Sequence, residues 1–191
     1  GCALNVVFNQ FLKDRGYSPF IPPNPSDCGL SLGQLMLIEP PTKQINCMYD
    51  GVGILDIHNF ERFKTSYNAK LVTPKDIVDL LINKKIVAIM QGNSECGPRA
   101  LGNRSIICDP TFSDMKDVLN SKVKFREWFR PFAPFVKEEN VSKYFDFNGT
   151  SPFMSFAPKI KTEYKDKVPS IVHVDGTCRI QTVTVESHKL F

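Results

Sequence analysis

Residues 86–108 read IVAIMQGNSECGPRALGNRSIIC, in which a glycine-rich stretch lies between two short apolar runs. The β-branched run Ile86–Met90 is typical of a buried strand, and Ile106–Cys108 predicts a second strand. The residues between them are almost free of large apolar groups, as is usual in a loop. The segment therefore predicts a strand–loop–strand unit.

Helices are predicted on both sides of this unit, and further strands only after it. Apolar spacing and end signals predict helices over 2–15, 28–38, 74–83 and about 113–123. Strands are predicted over 132–136, 153–157, 170–174 and 179–185. Residues 39–73 show no sustained period, which predicts a linker or a loosely packed arm. Because helices and strands interleave, the predicted fold class is α/β or α+β.

The loop between the two strands has the composition of an anion site. Glycine permits positive φ angles and lets backbone amides approach a ligand closely, and Gly97 is one of three glycines in the loop. Arg99 and Arg104 add planar, permanently charged forks that match phosphate or carboxylate oxygens. Asn103 and Ser105 are further candidates for contacts with the ligand. Neither the P-loop spacing nor the dinucleotide fingerprint is present, and a surface turn with solvated or ion-paired arginines is the alternative.

A second basic cluster, KVKFREWFRPFAP, spans residues 122–134. Lys124 and Arg126 lie two apart, so in an extended segment both side chains would point to one face. Arg130 follows among aromatic residues, and this interleaving suits a polyphosphate whose cations are fixed by the rings. An RNA-contacting patch and a core strand edge with snorkelling cations are the alternatives.

Four more residues complete the set of candidates. Arg179 and Gln181 would share one face of the predicted strand that follows the turn at 175–177. A lone arginine on a strand is usually structural, so this site depends on the other two clusters. Asp27 precedes a predicted helix and either caps it or acts as a metal ligand. Asn5 lies near the N-terminus, within the first predicted helix.

The composition excludes disordered, collagen-like and coiled-coil proteins. The 191 residues carry a formal net charge of +4, which is too small to indicate a nucleic-acid ligand by itself. The six cysteines are spread singly without a CxxC pair, which predicts reduced thiols in a cytoplasmic protein. No apolar run approaches the ~18 residues of a membrane helix, and no signal peptide is visible. Because Gly1 opens the chain in an apolar stretch, we expect a piece of a longer protein.

Three of these segments together resemble the C-terminal region of the NodU/CmcH family of O-carbamoyltransferases. They are QGNSECGPRALGNRSIICDP (91–110), KVKFREWFRPFAPFV (122–136) and VPSIVHVDGTCRIQTV (168–183), in the family's order and approximate spacing. GCALNVVFNQFL (1–12) and PPNPSDCGLSLGQ (22–34) resemble the closing part of the family's larger N-terminal domain, which has an actin/Hsp70-like fold.

The resemblance implies three parts. Residues 1–38 would end the actin/Hsp70-like carbamoyl-transfer domain, 39–73 would be a linker arm, and 74–191 would form a YrdC-like domain truncated at its C-terminus. A YrdC-like domain is a twisted mixed sheet with helices and a basic cavity. The family's other metal ligands and a segment beyond Phe191 have no counterpart in this sequence. We therefore expect that the chain alone cannot complete carbamoyl transfer.

The resemblance also implies a chemistry. The family is thought to convert ATP and carbamoyl phosphate into carbamoyl-adenylate and to transfer the carbamoyl group to a hydroxyl of a sugar or another small molecule. Lys124 and Arg126 match the Lys-x-Arg pair of YrdC-like proteins and are implied to be catalytic together with Arg99 and Arg104. Asp27 matches the family's metal-binding acid, for Mg²⁺ or Fe²⁺. The residues implied to bind ATP and carbamoyl phosphate are Arg130, Arg179, Gln181, Gly97, Asn103, Ser105 and Asn5.

The expected partners follow from the same resemblance. They are a small-molecule hydroxyl acceptor and the N-terminal domain of the same protein. A membrane is not expected as a partner, and the question of a homodimer is left open. The alternative function is a YrdC-like RNA- or nucleotide-binding module without carbamoyl transfer. RNA binding favours dispersed cations and exposed aromatic residues, whereas these arginines lie among glycines and predicted strands. Nucleic acid is therefore the less favoured ligand.

Overall fold

In the computed structural model, residues 1–43, 45 and 47–184 are described, and they form short helices and strands, with four α-helices before the first strand. The α-helices are α1 (Val6–Asp14), α2 (Leu30–Ile38), α3 (Phe60–Ser66), α4 (Pro74–Ile82), α5 (Met115–Val118), α6 (Val141–Tyr144) and α7 (Thr162–Lys165). The strands are β1 (Val87–Met90), β2 (Arg104–Ile107), β3 (Phe135–Lys137) and β4 (Gln181–Val183). The architecture of the described residues is therefore mixed α/β, of the α+β kind.

The strands pair in two small sheets of different kinds. β1 and β2 are antiparallel, with Met90 opposite Arg104. β3 and β4 are parallel, with Phe135 opposite Gln181. The first sheet confirms the predicted strand–loop–strand unit, and its register brings the two ends of the loop over 91–103 together.

Two clusters of buried side chains hold these elements in place. A smaller cluster of Met48, Leu101 and Met154 joins the segment before α3 to the glycine-rich loop. Burial of a side chain of this size contributes about 1.5–3 kcal/mol, so packing anchors the loop as well as the sheets. The larger cluster surrounds the second sheet and consists of Val136, Val141, Phe145, Phe147, Phe156, Ile160, Ile171, Cys178 and Ile180.

Helix starts follow local sequence signals. α4 begins at Pro74 because Thr73 forms a capping box: the Asp76 amide donates to Thr73 Oγ1, and the Thr73 amide donates to Asp76 Oδ2 over 2.7 Å. α1 begins after Asn5, whose side-chain oxygen accepts from the amide of Phe8 over 3.0 Å. The predicted helices over 2–15, 28–38 and 74–83 are thus confirmed in kind, with shorter bounds. The helix predicted over 113–123 is α5 followed by a π-helical turn, Leu119–Val123.

Two predicted strands are wrong. Residues 153–157 are irregular because Met154 has a φ of +56°, and Phe156 makes only an isolated bridge to Ile180. Residues 170–174 do not extend either. A 3-10 helical turn covers Pro169–Ile171, and the chain then reverses where the His173 amide donates to the Thr177 carbonyl over 2.9 Å.

Other elements differ in length or were not predicted. β3 begins only at Phe135 because prolines at 131 and 134 provide no N–H for a strand ladder. β4 covers the middle of the strand predicted over 179–185, and residue 185 lies outside the described residues. α3, α6 and α7 were not predicted, since helices of seven and four residues are too short to show a sustained period.

The segment over 47–53 pairs with the glycine-rich loop. The Cys96 amide donates to the Met48 carbonyl over 2.9 Å, and the Ser94 amide donates to the Val52 carbonyl over 2.8 Å. Part of the predicted arm is therefore hydrogen-bonded to the loop. The division of the chain into 1–38, 39–73 and 74–191 stays a prediction.

Apolar side chains remain exposed on the N-terminal helices. α2 buries none of its residues, and both Leu37 and Ile38 are 83% exposed. A helix that is apolar all round is normally covered, so this surface is typical of a contact with further protein. Among the helices of the described residues, none combines the length and the apolar character needed to cross a bilayer.

Candidate anion-binding site

The glycine-rich loop is built around one internal carboxylate. Glu95 Oε1 accepts hydrogen bonds from the backbone amides of Leu101 (2.6 Å), Asn103 (2.9 Å) and Arg104 (3.2 Å). Burial alone would raise the pKa of this carboxyl, but the backbone hydrogen bonds outweigh burial and hold its pKa below the usual range. Three backbone amides of the loop therefore bind Glu95.

Arg104 belongs to the framework of the loop. Its Nη1 donates to the carbonyls of Gln91 (2.7 Å) and Asn103 (2.9 Å), and its Nη2 donates to those of Val52 (3.2 Å) and Gly92 (3.1 Å). These four bonds tie the two ends of the loop to the segment over 47–53. The guanidinium is directed at backbone carbonyls, and the structure does not bring it together with the other predicted arginines.

Three further predicted residues also shape the loop. Asn103 Nδ2 donates to the Asn93 carbonyl over 2.6 Å, and Ser105 Oγ accepts from the Gly102 amide over 2.9 Å. Gly97 has a φ of +139°, and a Cβ at this position would lie 2.5 Å from the Pro23 carbonyl oxygen. Gly97 therefore allows the N-terminal segment to approach the loop closely.

Three arginines converge beside this framework. Burial lowers the pKa of Arg179, and the charges of Arg99 and Arg126 lower it further, to about 10. Burial also lowers the pKa values of Arg99 and Arg126, and in Arg126 the charge of Arg130 adds to the effect. Among the described residues, no carboxylate lies within ion-pair distance of Arg99, Arg126 or Arg179. The result is a cluster of arginines without an ion-paired carboxylate, in which the charge of Glu127 only partly opposes the lowering of the pKa of Arg126. We call it the arginine cluster (Arg99, Arg126 and Arg179).

The basic segment contributes Arg126 to the cluster through a tight turn. Phe125 has a φ of +47°, so the expectation that Lys124 and Arg126 point to one face of an extended segment is wrong. Arg126 Nε donates to Asn120 Oδ1 over 2.7 Å, and its guanidinium lies 4.7 Å from the centre of the Phe132 ring. Lys124 is exposed, and no contact joins it to the arginine cluster.

Arg130 lies at the edge of this cluster. Its charge lowers the pKa of Arg126, but its own Nε faces Glu127 Oε2 over 3.8 Å and the side chain is about half exposed. A pair at this distance and exposure is worth little, so Arg130 stays available for a ligand.

The last extended segment presents its polar face to the loop. Cys178 and Ile180 point into the core, so Thr177, Arg179 and Gln181 lie on the opposite face. The fully buried Gln181 donates from Nε2 to the Leu101 carbonyl over 3.0 Å, which joins β4 to the loop. That Arg179 and Gln181 share a face is consistent with this alternation and stays a prediction.

Buried polar atoms without partners lie on the same face. They are Arg179 Nε, Gln181 Oε1 and Nε2 of His173, a residue that sequence reasoning did not select. Leaving a buried donor or acceptor unpaired costs about 1–3 kcal/mol, so such atoms mark a place for an absent ligand or water. The signal for His173 was its position in the VHVDGTCRIQ stretch, six residues before Arg179.

Neither N-terminal candidate reaches a site of this kind. Asn5 is the cap of α1, and Asp27 is exposed at the start of a 3-10 helical turn. The described residues contain no group of three or more His, Cys, Asp or Glu side chains that would hold a metal ion. The described residues therefore do not by themselves form a three-ligand site for Mg²⁺ or Fe²⁺, and Asp27 as a metal ligand stays a prediction.

An apolar cavity of about 260 Å³ is lined in part by Phe132, the ring that the Arg126 guanidinium contacts. Its walls include Ile106, Met115, Phe135 and Phe132, whose ring also packs against the Arg126 guanidinium. A flat apolar group can occupy such a cavity while an attached anion reaches the arginine.

Arginines that gather without ion-paired carboxylates are typical of sites that bind phosphorylated or other anionic ligands. The comparisons make this class specific: the family described as "Carbamoyltransferase C-terminus" matches residues 78–191, and the chain belongs to that family.

Named relatives agree with this assignment. The chain is 34% identical to Nodulation protein U of Rhizobium fredii, with all of this chain and 33% of the relative covered. It is also 34% identical to Nodulation protein NolO of Bradyrhizobium diazoefficiens, with all of this chain and 38% of the relative covered. The chain thus corresponds to the C-terminal part of NodU-family proteins and spans about a third of their length.

Proposed function

We propose that this chain forms the phosphate-binding part of a carbamoyltransferase that uses ATP and carbamoyl phosphate. The observation that carries the proposal is the arginine cluster, whose three arginines form no ion pair with a carboxylate of the described residues and which includes a buried, unpaired Nε of Arg179. Family membership supports carbamoyl transfer in general. The two substrates and the intermediate are our proposal.

The proposed reaction has two steps. Water releases phosphate from carbamoyl phosphate and leaves carbamate. A carbamate oxygen then attacks the α-phosphorus of ATP, the bond between the α- and β-phosphates breaks, and pyrophosphate leaves with carbamoyl-adenylate as the product. Negative charge accumulates on the equatorial oxygens of the α-phosphorus and on the departing pyrophosphate. Cations that are fixed before the reaction stabilise this charge without having to reorganise.

Each cluster residue has a distinct task in this scheme. Arg179 is the most buried of the three, so its interaction with a phosphate is screened least by water. Arg126 packs against Phe132, which also lines the apolar cavity, and we propose that this cavity holds the adenine ring. Arg99 projects from the loop that Glu95 and Arg104 hold in shape. We propose that Lys124 and Arg130 contact the outer phosphates from the solvent side.

The acceptor and the rest of the protein are part of the same proposal. We propose that the carbamoyl group passes to a small-molecule hydroxyl bound elsewhere in the longer protein, and that this preceding part covers α2. The exposed apolar side chains of α2 support such a contact. The actin/Hsp70-like fold of the preceding part, the YrdC-like fold of residues 74–191, and a cytoplasmic location are proposed with it.

The RNA-binding alternative has less support. Trp128 and Phe129 are 70% and 62% exposed, as stacking on a base requires. The arginine cluster, however, is half-buried and convergent, whereas a backbone-tracking surface needs accessible and dispersed cations.

The test is ATP–pyrophosphate exchange that depends on carbamoyl phosphate, measured with the full-length protein. Arg179→Ala and Arg126→Ala are expected to lower the exchange rate by about 100-fold, the cost of removing one preorganised donor from a transition-state site. Arg62→Ala, on the exposed surface of α3, is the matched control and keeps the wild-type rate. Full exchange in Arg179→Ala, or none in the wild type, would overturn the proposal.

A further inference from the structure

A short hydrogen-bond chain ends at an unpaired ring nitrogen. Thr177 Oγ1 donates to Asp175 Oδ1 over 2.7 Å, and the Thr177 amide donates to the same oxygen over 2.9 Å. His173 Nδ1 lies 2.9 Å from Thr177 Oγ1. The other ring nitrogen, Nε2, is buried and has no hydrogen-bond partner. The chain therefore runs from Asp175 through Thr177 to His173.

The chain fixes the tautomer of the histidine. The backbone hydrogen bond from Thr177 is the main reason that the pKa of Asp175 is lowered, so this carboxylate is ionised and only accepts. Thr177 has a single hydroxyl hydrogen, which it gives to Asp175. Its oxygen must then accept the hydrogen on His173 Nδ1. In the neutral ring, Nε2 consequently carries a lone pair and no proton.

The surroundings of the ring keep it neutral until an anion arrives. Burial lowers the pKa of His173, the charges of Arg179 and of Lys116 on α5 lower it further, and Asp175 opposes them. The charge of Arg179 acts on the His173 ring, and Thr177, to which the ring is bonded, lies two residues before Arg179 on the segment that bridges to residues 156–159. A dianion bound at Arg179 would reverse the sign of the local potential.

We propose that His173 is the proton acceptor of the arginine cluster: when a phosphate-like dianion binds at Arg179, Nε2 takes up a proton from solvent and donates it in a hydrogen bond to that anion. The inference rests on the proposed anion site and adds to it a residue and a coupling. Nδ1–H remains bonded to Thr177, so the ring becomes a cation held between Asp175 and the ligand. The affinity for the anion consequently falls as pH rises through the pKa of His173 in the complex.

The experiment counts protons during anion binding. Sulfate is titrated calorimetrically into the full-length protein, in buffers with different ionisation enthalpies, above the free pKa of His173. Sulfate stays a dianion wherever histidine titrates, so any proton taken up comes from a protein group. We expect uptake of close to one proton, and an affinity that changes by up to about tenfold per pH unit.

Substitutions separate the inference from the proposed site. His173→Gln can still donate to the anion but cannot titrate, so proton uptake should vanish while binding persists. Thr177→Val removes the partner of Nδ1 and is expected to reduce the uptake as well. His58→Gln, at an exposed histidine, is the control and should retain it.

The two possible failures differ in what they show. No sulfate binding by the wild type, or binding that survives Arg179→Ala, would overturn the anion site and this inference with it. Binding that needs Arg179 but takes up the same proton in His173→Gln would overturn only the role of His173. Should His173→Gln fail to fold, as judged by circular dichroism, unchanged uptake in Thr177→Val would have the same consequence.

Discussion

Glu95→Gln tests the idea that the glycine-rich loop is built on its own anion. Three backbone amides converge on one carboxylate oxygen, and the amide side chain of Gln retains an oxygen of similar shape without the charge. A hydrogen bond to a charged group contributes about 1.5–3 kcal/mol to stability, and a hydrogen bond between neutral groups contributes about 0.5–1.5 kcal/mol. Replacing the charged acceptor by a neutral one therefore costs about 1 kcal/mol for each bond and about 3 kcal/mol for the three. Partial exposure of Glu95 screens the charge, and we therefore expect a loss of about 1–2 kcal/mol.

The loss is measured as a shift of the thermal unfolding midpoint, followed by circular dichroism. A destabilisation of 1–2 kcal/mol corresponds to roughly 2–8 °C for a domain of this size. Because the folded-state pKa of Glu95 is lowered from 4.5, its contribution is present above that value and is lost as pH falls through the lower, folded-state pKa. The difference between wild type and Glu95→Gln should accordingly shrink in acid.

The control for this prediction is Glu61→Gln, at an exposed glutamate that pairs with Lys64 over 3.3 Å on α3. Its midpoint is expected to change little at either pH. An unchanged midpoint in Glu95→Gln near neutral pH would refute the reasoning. So would a difference between Glu95→Gln and wild type that persists below the folded-state pKa of Glu95.

Three other perturbations have defined outcomes. Gly97→Ala places a Cβ 2.5 Å from the Pro23 carbonyl at a φ of +139°, so unfolding should require about 1–3 kcal/mol less, as read from urea midpoints. Asn120→Ala removes the acceptor for Arg126 Nε and a donor to two carbonyls, and it should weaken sulfate binding and lower stability by about 1–3 kcal/mol. The pKa of His173 in the folded protein is lowered from 6.5, so the unfolded protein binds more protons at this residue. The free energy of unfolding should therefore fall as pH drops from 6.5 through the folded-state pKa. His173→Gln should lack this fall.

Each of these outcomes has a counterpart that would contradict it. Gly16→Ala tests a glycine of positive φ with no atom near its Cβ, so a loss as large as that of Gly97→Ala would show that the contact with Pro23 is irrelevant. Asn83→Ala removes an exposed side chain that caps α4 and should leave sulfate affinity unchanged, in contrast to Asn120→Ala. An acid-sensitive component of equal size in wild type and His173→Gln would remove the histidine from the explanation.

Local chemistry explains which elements could be predicted. Thr73, Pro74 and Asp76 specify the start of α4 within four residues, and the β-branched run at 86–90 specifies β1. The predicted strand over 153–157 fails because its apolar residues serve the core from an irregular backbone, with a positive φ at Met154. Periodicity records which side chains are apolar, and it carries no information about a reversal of the backbone.

The candidate site also has residues that local sequence identified and residues whose roles appear only in the folded chain. The convergence of Arg99, Arg126 and Arg179 brings together three segments that had been selected separately from composition. Arg104 donates hydrogen bonds to four carbonyls, and one of them belongs to Val52, which is distant in sequence. No local pattern therefore distinguishes the role of Arg104 from that of Arg99. His173 was missed because its hydroxyl partner and its unpaired nitrogen are evident only after the turn over 173–177 has formed. The roles of the predicted residues in binding and catalysis stay predictions.

The internal carboxylate of the glycine-rich loop has a kinetic consequence. A loop that becomes ordered only when a ligand binds loses its conformational freedom during binding, and this ordering slows association. Here Glu95 already orders the amides of Leu101, Asn103 and Arg104 during folding. For the proposed anion site we therefore expect an association rate that falls with ionic strength and is not limited by loop closure.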